Sequence, residues 1–362
     1  MSQPRLVLHI GPHKTGTTYL QSRLLQHAAA LRAHSGINYV QAGIGPQFGH
    51  HKLCAELRQG GPGEAWAAAA QEWTHYPCHI ISSENFSRLP PAAVATLAEL
   101  LAGLKVEICY VLRRPEALLY AAWQEQVKHG SPHSLPEFVA PHLAAPAHSP
   151  LLNPQVLLAP YLQAFEGRLR VLSYDAIRAE GHSLVTALFE GLQLGAAPAT
   201  DNAVVNKSMR LDRAEALRAL NAWELSRHAV GQASPFMRAD GALFNTRQFL
   251  AVAKQSPTCL AHLISAQEGH LRELPQASGS ALQQPRQQFL AQHPRACVGP
   301  WRDTADGPPP AAAETSGPGL PWVQSAWLLR PGVPDALAEL AALVRQAEPT
   351  SSSSSSAAAP GE

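Results

Sequence analysis

No stretch of this chain reaches the 18 or more consecutive apolar residues of a membrane-spanning helix, so no span is expected. The N-terminus passes from MSQPR straight into an apolar strand pattern without the apolar core of a secretory signal, which points to the cytoplasm. Five cysteines (Cys54, Cys78, Cys109, Cys259, Cys297) show no CxxC spacing and read as free thiols in a reducing compartment. Seventeen histidines come with no HExxH and no Cys/His cluster, so no metal is expected. A net charge of +1 gives no overall attraction to nucleic acid or membranes. What is present is enough apolar residue, 46% of 362, to bury a core. The charge is also uneven. Residues 1–60 carry six Lys or Arg and six His against a single acid, Glu56, a balance that suits an anionic ligand.

That basic segment contains LVLHIGPHKTGTT, Leu6 to Thr18. An apolar β-forming run, Leu6 to Ile10, is broken by Gly11 and Pro12, and an amphipathic pattern begins after Gly16. Strand, glycine-containing turn and helix start make the layout of a phosphate-binding loop, where backbone N–H groups and the helix dipole converge on an anion. Gly11 and Gly16 have the spacing of a Walker A motif, but Thr17 stands where its lysine belongs and Lys14 comes two residues before Gly16. Triphosphatases also hold Mg²⁺ with an aspartate on a neighbouring strand. The first aspartate here is Asp175, and the second strand candidate runs instead into Ser82-Ser83-Glu84. Hydrolysis of ATP or GTP is therefore disfavoured, with Glu84 the one acid in position to substitute.

Periodicity predicts a helix over Thr17–Arg32 with Leu20, Leu24, Leu25, Ala28 and Leu31 on one face. A short extended piece at Gly36–Val40 follows, then a glycine-rich loop (Gly43, Gly45, Gly49) leading into His50-His51-Lys52. Helices are predicted over Ala65–Trp73, Pro91–Leu104 and Glu116–His129, and strands over Cys78–Ser82, Val106–Leu112 and Leu169–Ser173. From Pro132 to about residue 150 the chain turns Pro- and His-rich; Asn153-Pro154 then opens a helix through Phe165, and Ser183–Leu192 makes another. Further helices are predicted at Leu211–Leu225, Thr246–Leu263 (split at Pro257), Arg286–Gln292 and Asp335–Gln346. Such alternation is that of an α/β fold with a central, mostly parallel sheet in three α/β/α layers. Ligands on such sheets bind at the carboxyl ends of the strands. His13/Lys14, Ser82-Ser83-Glu84 and Arg113-Arg114 all fall at such ends. The expected domain covers 1–303, with a core over 5–210 and a helical part over 211–303. A Pro/Ala/Gly/Ser-rich tail over 304–362, including Ser351–Ser356, reads as largely disordered.

The Pro12, Lys14, Thr15, Gly16, Thr17, Thr18 pattern resembles the 5′-phosphosulfate loop of the sulfotransferases that use 3′-phosphoadenosine 5′-phosphosulfate (PAPS). The resemblance covers about residues 5–210 and takes in the Tyr174-Asp175 strand end and the late Val205-Asn206-Lys207-Ser208 motif. It implies a P-loop-type fold and sulfuryl transfer from PAPS to a hydroxyl or amine of a small-molecule or carbohydrate acceptor, with PAP as product. It implies that Pro12 to Thr18, His13 included, hold the phosphosulfate, with Lys14 on the leaving oxygen. Arg113 would hold the 3′-phosphate, and Ala121 stands where the family carries a serine, which leaves Ser131 or Ser134 to supply a hydroxyl. For the catalytic base it leaves His51, His50 and Glu84 open. Two alternatives stay beside it: a P-loop small-molecule kinase or other phosphotransferase, and a sulfotransferase-like nucleotide-binding protein that is catalytically weak.

Overall fold

The computed structural model of the chain describes residues 3–165, 168–199, 209–227, 249, 253–273, 277–298 and 320–346. Five strands carry the fold: β1 (Arg5–His9), β2 (Ile37–Tyr39), β3 (Cys78–Ser82), β4 (Lys105–Leu112) and β5 (Leu169–Ser173). They form one all-parallel sheet in the order β2-β3-β1-β4-β5. β1 lies between β3 and β4, so the loop that leaves it opens between their carboxyl ends.

Strand residues alternate between two apolar layers, as a sheet covered on both faces requires. Leu6, Leu8, Ile81, Ile108, Tyr110 and Val171 join one layer, against Leu53, Trp66, Val94, Leu97 and Leu158. Val7, Ile80, Cys109, Val111 and Leu172 join the other, against Leu20, Leu24, Ala28, Leu31 and Leu188. The first layer is supplied by α3 (His51–Arg58), α4 (Glu64–Glu72), α5 (Pro91–Leu100) and α8 (Pro154–Ala164). The second comes from α1 (Thr17–Gln26), α2 (Ala28–Ser35) and α10 (Leu184–Gly191). Between them in the chain come α6 (Pro115–Lys128), α7 (Leu135–Ala144) and α9 (Tyr174–Ala179). This is the α/β architecture expected from the strand and helix alternation.

Several local expectations change. The predicted helix over Thr17–Arg32 is two helices, because His27 leaves helical geometry at φ −99°, ψ 7°. Its apolar face nonetheless continues across the break through Leu24, Ala28 and Leu31. Part of the Pro- and His-rich stretch after Pro132 folds as α7. Its start is a capping box: Ser134 N–H and Oγ both bond Glu137 Oε2, at 2.7 and 2.8 Å. His51 begins a helix instead of sitting in a loop. The Val205–Ser208 motif, most of residues 246–252, and the segments 304–319 and 347–362 lie outside the described residues.

By internal contacts the chain divides into two units. Described residues within 1–122, 141–208 and 275–319 form the first, which contains the sheet. Those within 123–140, 209–274 and 320–362 form the second. The second unit packs α11 (Leu211–Arg227), α12 (Pro257–Ala266) and α14 (Val333–Gln346) with the antiparallel pair β6 (Leu271–Glu273) and β7 (Pro321–Val323). Helix α13 (Ala277–Gln292) belongs to the first. Residues 320–346, within the expected tail, are thus folded. Inside the second unit a buried Glu215–Arg218 pair is tied to Trp327 Nε1 and to the Pro132 carbonyl.

The segment that delivers His50 and His51 is held by one carboxylate. Glu72 accepts from Gln41 N–H (3.0 Å), Ala42 N–H (2.9 Å) and Asn38 Nδ2 (2.7 Å). Replacing Glu72 with Ala strands two backbone donors and an amide, so urea unfolding should show a loss of about 2 kcal/mol. A neutral result would mean that water replaces the carboxylate without cost.

Candidate functional site

The loop after β1 stays anchored to both neighbouring strands before it turns. Ile10 N–H bonds Cys109 O, Val111 N–H bonds Gly11 O, and Ser83 N–H bonds His9 O. Beyond that point Gly11 (φ 95°), Lys14 (φ 69°) and Gly16 (φ 81°) take left-handed conformations. For Lys14 that conformation carries strain, because its Cβ is unfavourable there. Alternation of left- and right-handed residues is what curls successive N–H groups into an anion-binding concavity. Buried Thr15 spends its hydroxyl inside the loop, donating to Pro12 O at 2.7 Å. Helix α1 then starts at Gly16 with no side-chain cap and no acid in its first turn. Its first N–H groups and positive dipole end therefore face whatever the loop encloses.

Both glycines are required by close neighbours. A Cβ on Gly11 would stand 2.9 Å from Glu84 Cα, and one on Gly16 would meet the Tyr174 ring at 3.1 Å. Tyr174, at the end of β5, also carries Arg113 on its face, with the guanidinium carbon 5.1 Å from the ring centroid. Arg113 leaves β4 and donates from Nη1 to the Lys14 carbonyl at 2.5 Å. Burial pulls its pKa below the ordinary guanidinium value, opposed by Tyr174 and Asp175, and it remains cationic. Its Nε is buried and has no hydrogen-bond partner. Neighbouring Arg114 turns away: its N–H and Nε bond Asp175 at 2.5 and 3.3 Å. The arginine pair thus splits into one residue on the loop and one in an ion pair.

Glu84 sits on the other side of the loop, held by Gln21 of α1 through a 2.9 Å bond from Nε2. Burial works against its charge. Gln21, its own backbone N–H, His13 and His51 outweigh that, so its pKa is lowered and it is an anion at neutral pH. His13 Nδ1 lies 3.9 Å from Glu84 Oε1. Burial, with Arg88 and Lys14, lowers the His13 pKa to about 4 against the pull of Glu84, so its ring is neutral.

The two adjacent histidines have different surroundings. His50 is fully buried, accepts Ser82 N–H at Nδ1 (3.0 Å) and donates from Nε2 to Val40 O (2.7 Å). It stitches the ends of β2 and β3 together, and burial lowers its pKa to about 4. With both nitrogens engaged, it has no lone pair for an acceptor. His51 is half-buried, its Nδ1 against Ser83 Oγ (2.8 Å) and Asn85 Nδ2 (3.2 Å), its Nε2 without a partner. His9 is likewise buried under the loop, bonded to Ser82 Oγ at 2.7 Å, and burial lowers it to about 4 against the pull of Glu84.

Of the residues singled out from the sequence, Pro12 to Thr18, Glu84 and Arg113 meet around one loop. His51 is held by Ser83 and Asn85, the chain neighbours of Glu84, and His50 is taken up by the backbone. Ala121 lies buried on α6 and offers only a methyl group. Ser134 is spent on its helix cap, and Ser131 Oγ accepts His133 N–H. Gln21, Asn85, Tyr174 and His9 pack within the candidate site, and sequence reasoning did not assign them. A polar Ser-Ser-Glu-Asn run at a strand end was the available signal for Asn85.

Among the described residues no group of three or more His, Cys, Asp or Glu could hold a metal ion, and no helix is long and apolar enough to cross a membrane. Neither the protein-family models nor the curated proteins contain a match to this chain.

Proposed function

We propose that the chain is a sulfotransferase that moves a sulfuryl group from PAPS to a hydroxyl or amine of a small-molecule or carbohydrate acceptor. One observation carries the reading. An uncapped helix N-terminus is fed by a left-handed loop bearing Lys14, and the guanidinium clamped on that loop keeps a buried Nε with no acceptor. An orphaned buried donor beside such a loop fits an anion with several oxygens. PAPS supplies a sulfuryl group whose leaving oxygen stays on the 5′-phosphate. N–H groups of Thr15 to Thr18, with the Thr17 and Thr18 hydroxyls, hold that phosphate. Lys14 neutralises the charge that develops on the leaving oxygen, where a fixed cation contributes most. Arg113 turns its Nε edge to a phosphate oxygen, and Ala121 adds nothing to that contact. Of the three candidate bases, His51 and Glu84 remain, since His50 has both nitrogens engaged.

A second reading, a Mg²⁺-dependent phosphotransferase, is favoured by the position of Glu84 against the loop. The two readings part on the ligand: PAP binding without Mg²⁺ supports the first, and Mg²⁺-dependent ATP turnover supports the second. PAP binding with no transfer to any acceptor pool would leave a nucleotide-binding protein.

The test is calorimetric titration of PAP into wild type, Lys14→Ala and Arg113→Ala. Each lost charge-assisted contact should weaken binding by roughly 10- to 100-fold. Unchanged affinity in both variants overturns the site assignment.

A further inference from the structure

Hydrogen bonding removes two of the three candidate bases. His50 has both ring nitrogens engaged, by Ser82 N–H and the Val40 carbonyl. His51 Nδ1 lies 3.2 Å from Asn85 Nδ2, and an amide nitrogen only donates, so Nδ1 is the acceptor. Ser83 agrees: its Oγ accepts Asn85 N–H at 3.3 Å and so turns its own proton to His51 Nδ1, 2.8 Å away. A neutral imidazole that accepts at Nδ1 carries its proton on Nε2. His51 Nε2, the nitrogen without a partner, can therefore donate but has no lone pair to take a proton.

Glu84 is held for the task. Gln21 Nε2 donates to its Oε2 at 2.9 Å, and its Oε1 lies 3.9 Å from His13 Nδ1, one residue before Lys14. Gln21 is 1% exposed, and a Cβ on Gly49 would stand 2.8 Å from its Nε2, so the amide fills a place that only glycine leaves open. On the opposite side of the residue, Gly11 admits the Glu84 backbone against the loop. We propose that Glu84 Oε1 is the base for the acceptor and that Gln21 positions the carboxylate by fixing Oε2. His13 of the loop, His9 of β1, Tyr39 of β2, and His51 and Cys54 of α3 are the titratable groups that interact with its charge.

The base role rests on the sulfuryl-transfer reading. The acceptor O–H bond breaks and its proton passes to Glu84 Oε1, while the acceptor oxygen forms its bond to sulfur. The bond from sulfur to the 5′-phosphate oxygen breaks, and its electron pair stays on that oxygen beside Lys14. Burial favours the neutral carboxyl that results, whereas the Gln21 bond favours the anion that begins the step. Gln21 is a positioning residue, since it acts only through Glu84.

The test is kcat/KM with PAPS and 2-naphthol or glucosamine as acceptor, across the pH range where circular dichroism shows the fold intact. Glu84→Gln, which keeps an acceptor for Gln21, should lower kcat by about 10²- to 10⁴-fold while PAP affinity holds. In wild type the rate should stay level through 6.5 and fall only in the carboxylate range. A histidine base with the ordinary value of 6.5 would instead lose roughly tenfold per pH unit below it. Gln21→Met removes the bond that favours the anion, so the acid limb should move to higher pH with PAP affinity unchanged. A merely structural Gln21 would leave the limb in place, and that result overturns its positioning role. Unchanged kcat in Glu84→Gln, a limb near 6.5, or PAP binding without transfer to either acceptor overturns the base role. Failure of wild type to bind PAP overturns the sulfuryl-transfer reading itself. Long-range ¹H–¹⁵N spectra at neutral pH, with His51→Gln assigning the ring, judge the elimination separately: His51 should carry its proton on Nε2, and a proton on Nδ1 overturns it.

Discussion

Lowering the pH from near neutral to about 4.5 should destabilise the fold steeply, before most carboxylates titrate. His9 and His50 are completely buried, and burial lowers each from 6.5 to about 4. In the unfolded chain both rings take up protons near 6.5, whereas in the fold they stay neutral. Between those values the unfolded state binds more protons, so stability falls as pH falls, and the loss levels off near 4. Above the unfolded value nothing is lost. A shift of this size is worth roughly 3 kcal/mol per histidine. His13, with its pKa also lowered to about 4, adds in the same direction. Carboxylates such as Glu84, held below their ordinary value, act in a lower window. Urea unfolding at several pH values would measure the slope. His50→Gln should be less stable near neutral pH, because two bonds to the strand ends are lost, and its slope should be shallower. A wild-type stability that stays flat down to about pH 4.5 would contradict the buried neutral rings.

Gly11→Ala should be the most damaging single methyl in the loop. The residue has φ 95°, and its added Cβ would stand 2.9 Å from both Cα and Cβ of Glu84. Those atoms belong to the turn after β3, so neither can swing aside as the tip of a long side chain can. Left-handed strain and overpacking together should cost roughly 3–5 kcal/mol. Gly181→Ala is the control: its φ is 72°, and nothing lies within 4 Å of the added atom. That variant should lose only about 1 kcal/mol. Chemical denaturation separates the two, and PAP titration should show binding impaired only for Gly11→Ala. Equal losses in both would mean that Glu84 is not pressed against the loop.

The strands were readable because each is a short apolar run between breakers, and the loop because its glycines sit at a strand-to-helix transition. α7 was missed although Ser134 and Glu137 spell a capping box, because the prolines and histidines around it read as loop. The break at His27 left no trace in a periodicity that runs across it.

Sequence alone determined a parallel α/β sheet, a glycine loop at the end of its first strand, and three polar clusters at strand ends. These are signals of spacing and composition within a few residues. Only the tertiary structure decided what the clusters do. β3 and β4 flank β1, which presses Glu84 on Gly11 and brings Arg113 to the Lys14 carbonyl. It also separated two adjacent histidines, one closed by Val40 and Ser82 and the other held by Ser83 and Asn85 on either side of Glu84. The physical reason is that burial and tautomer depend on atoms tens of residues away along the chain.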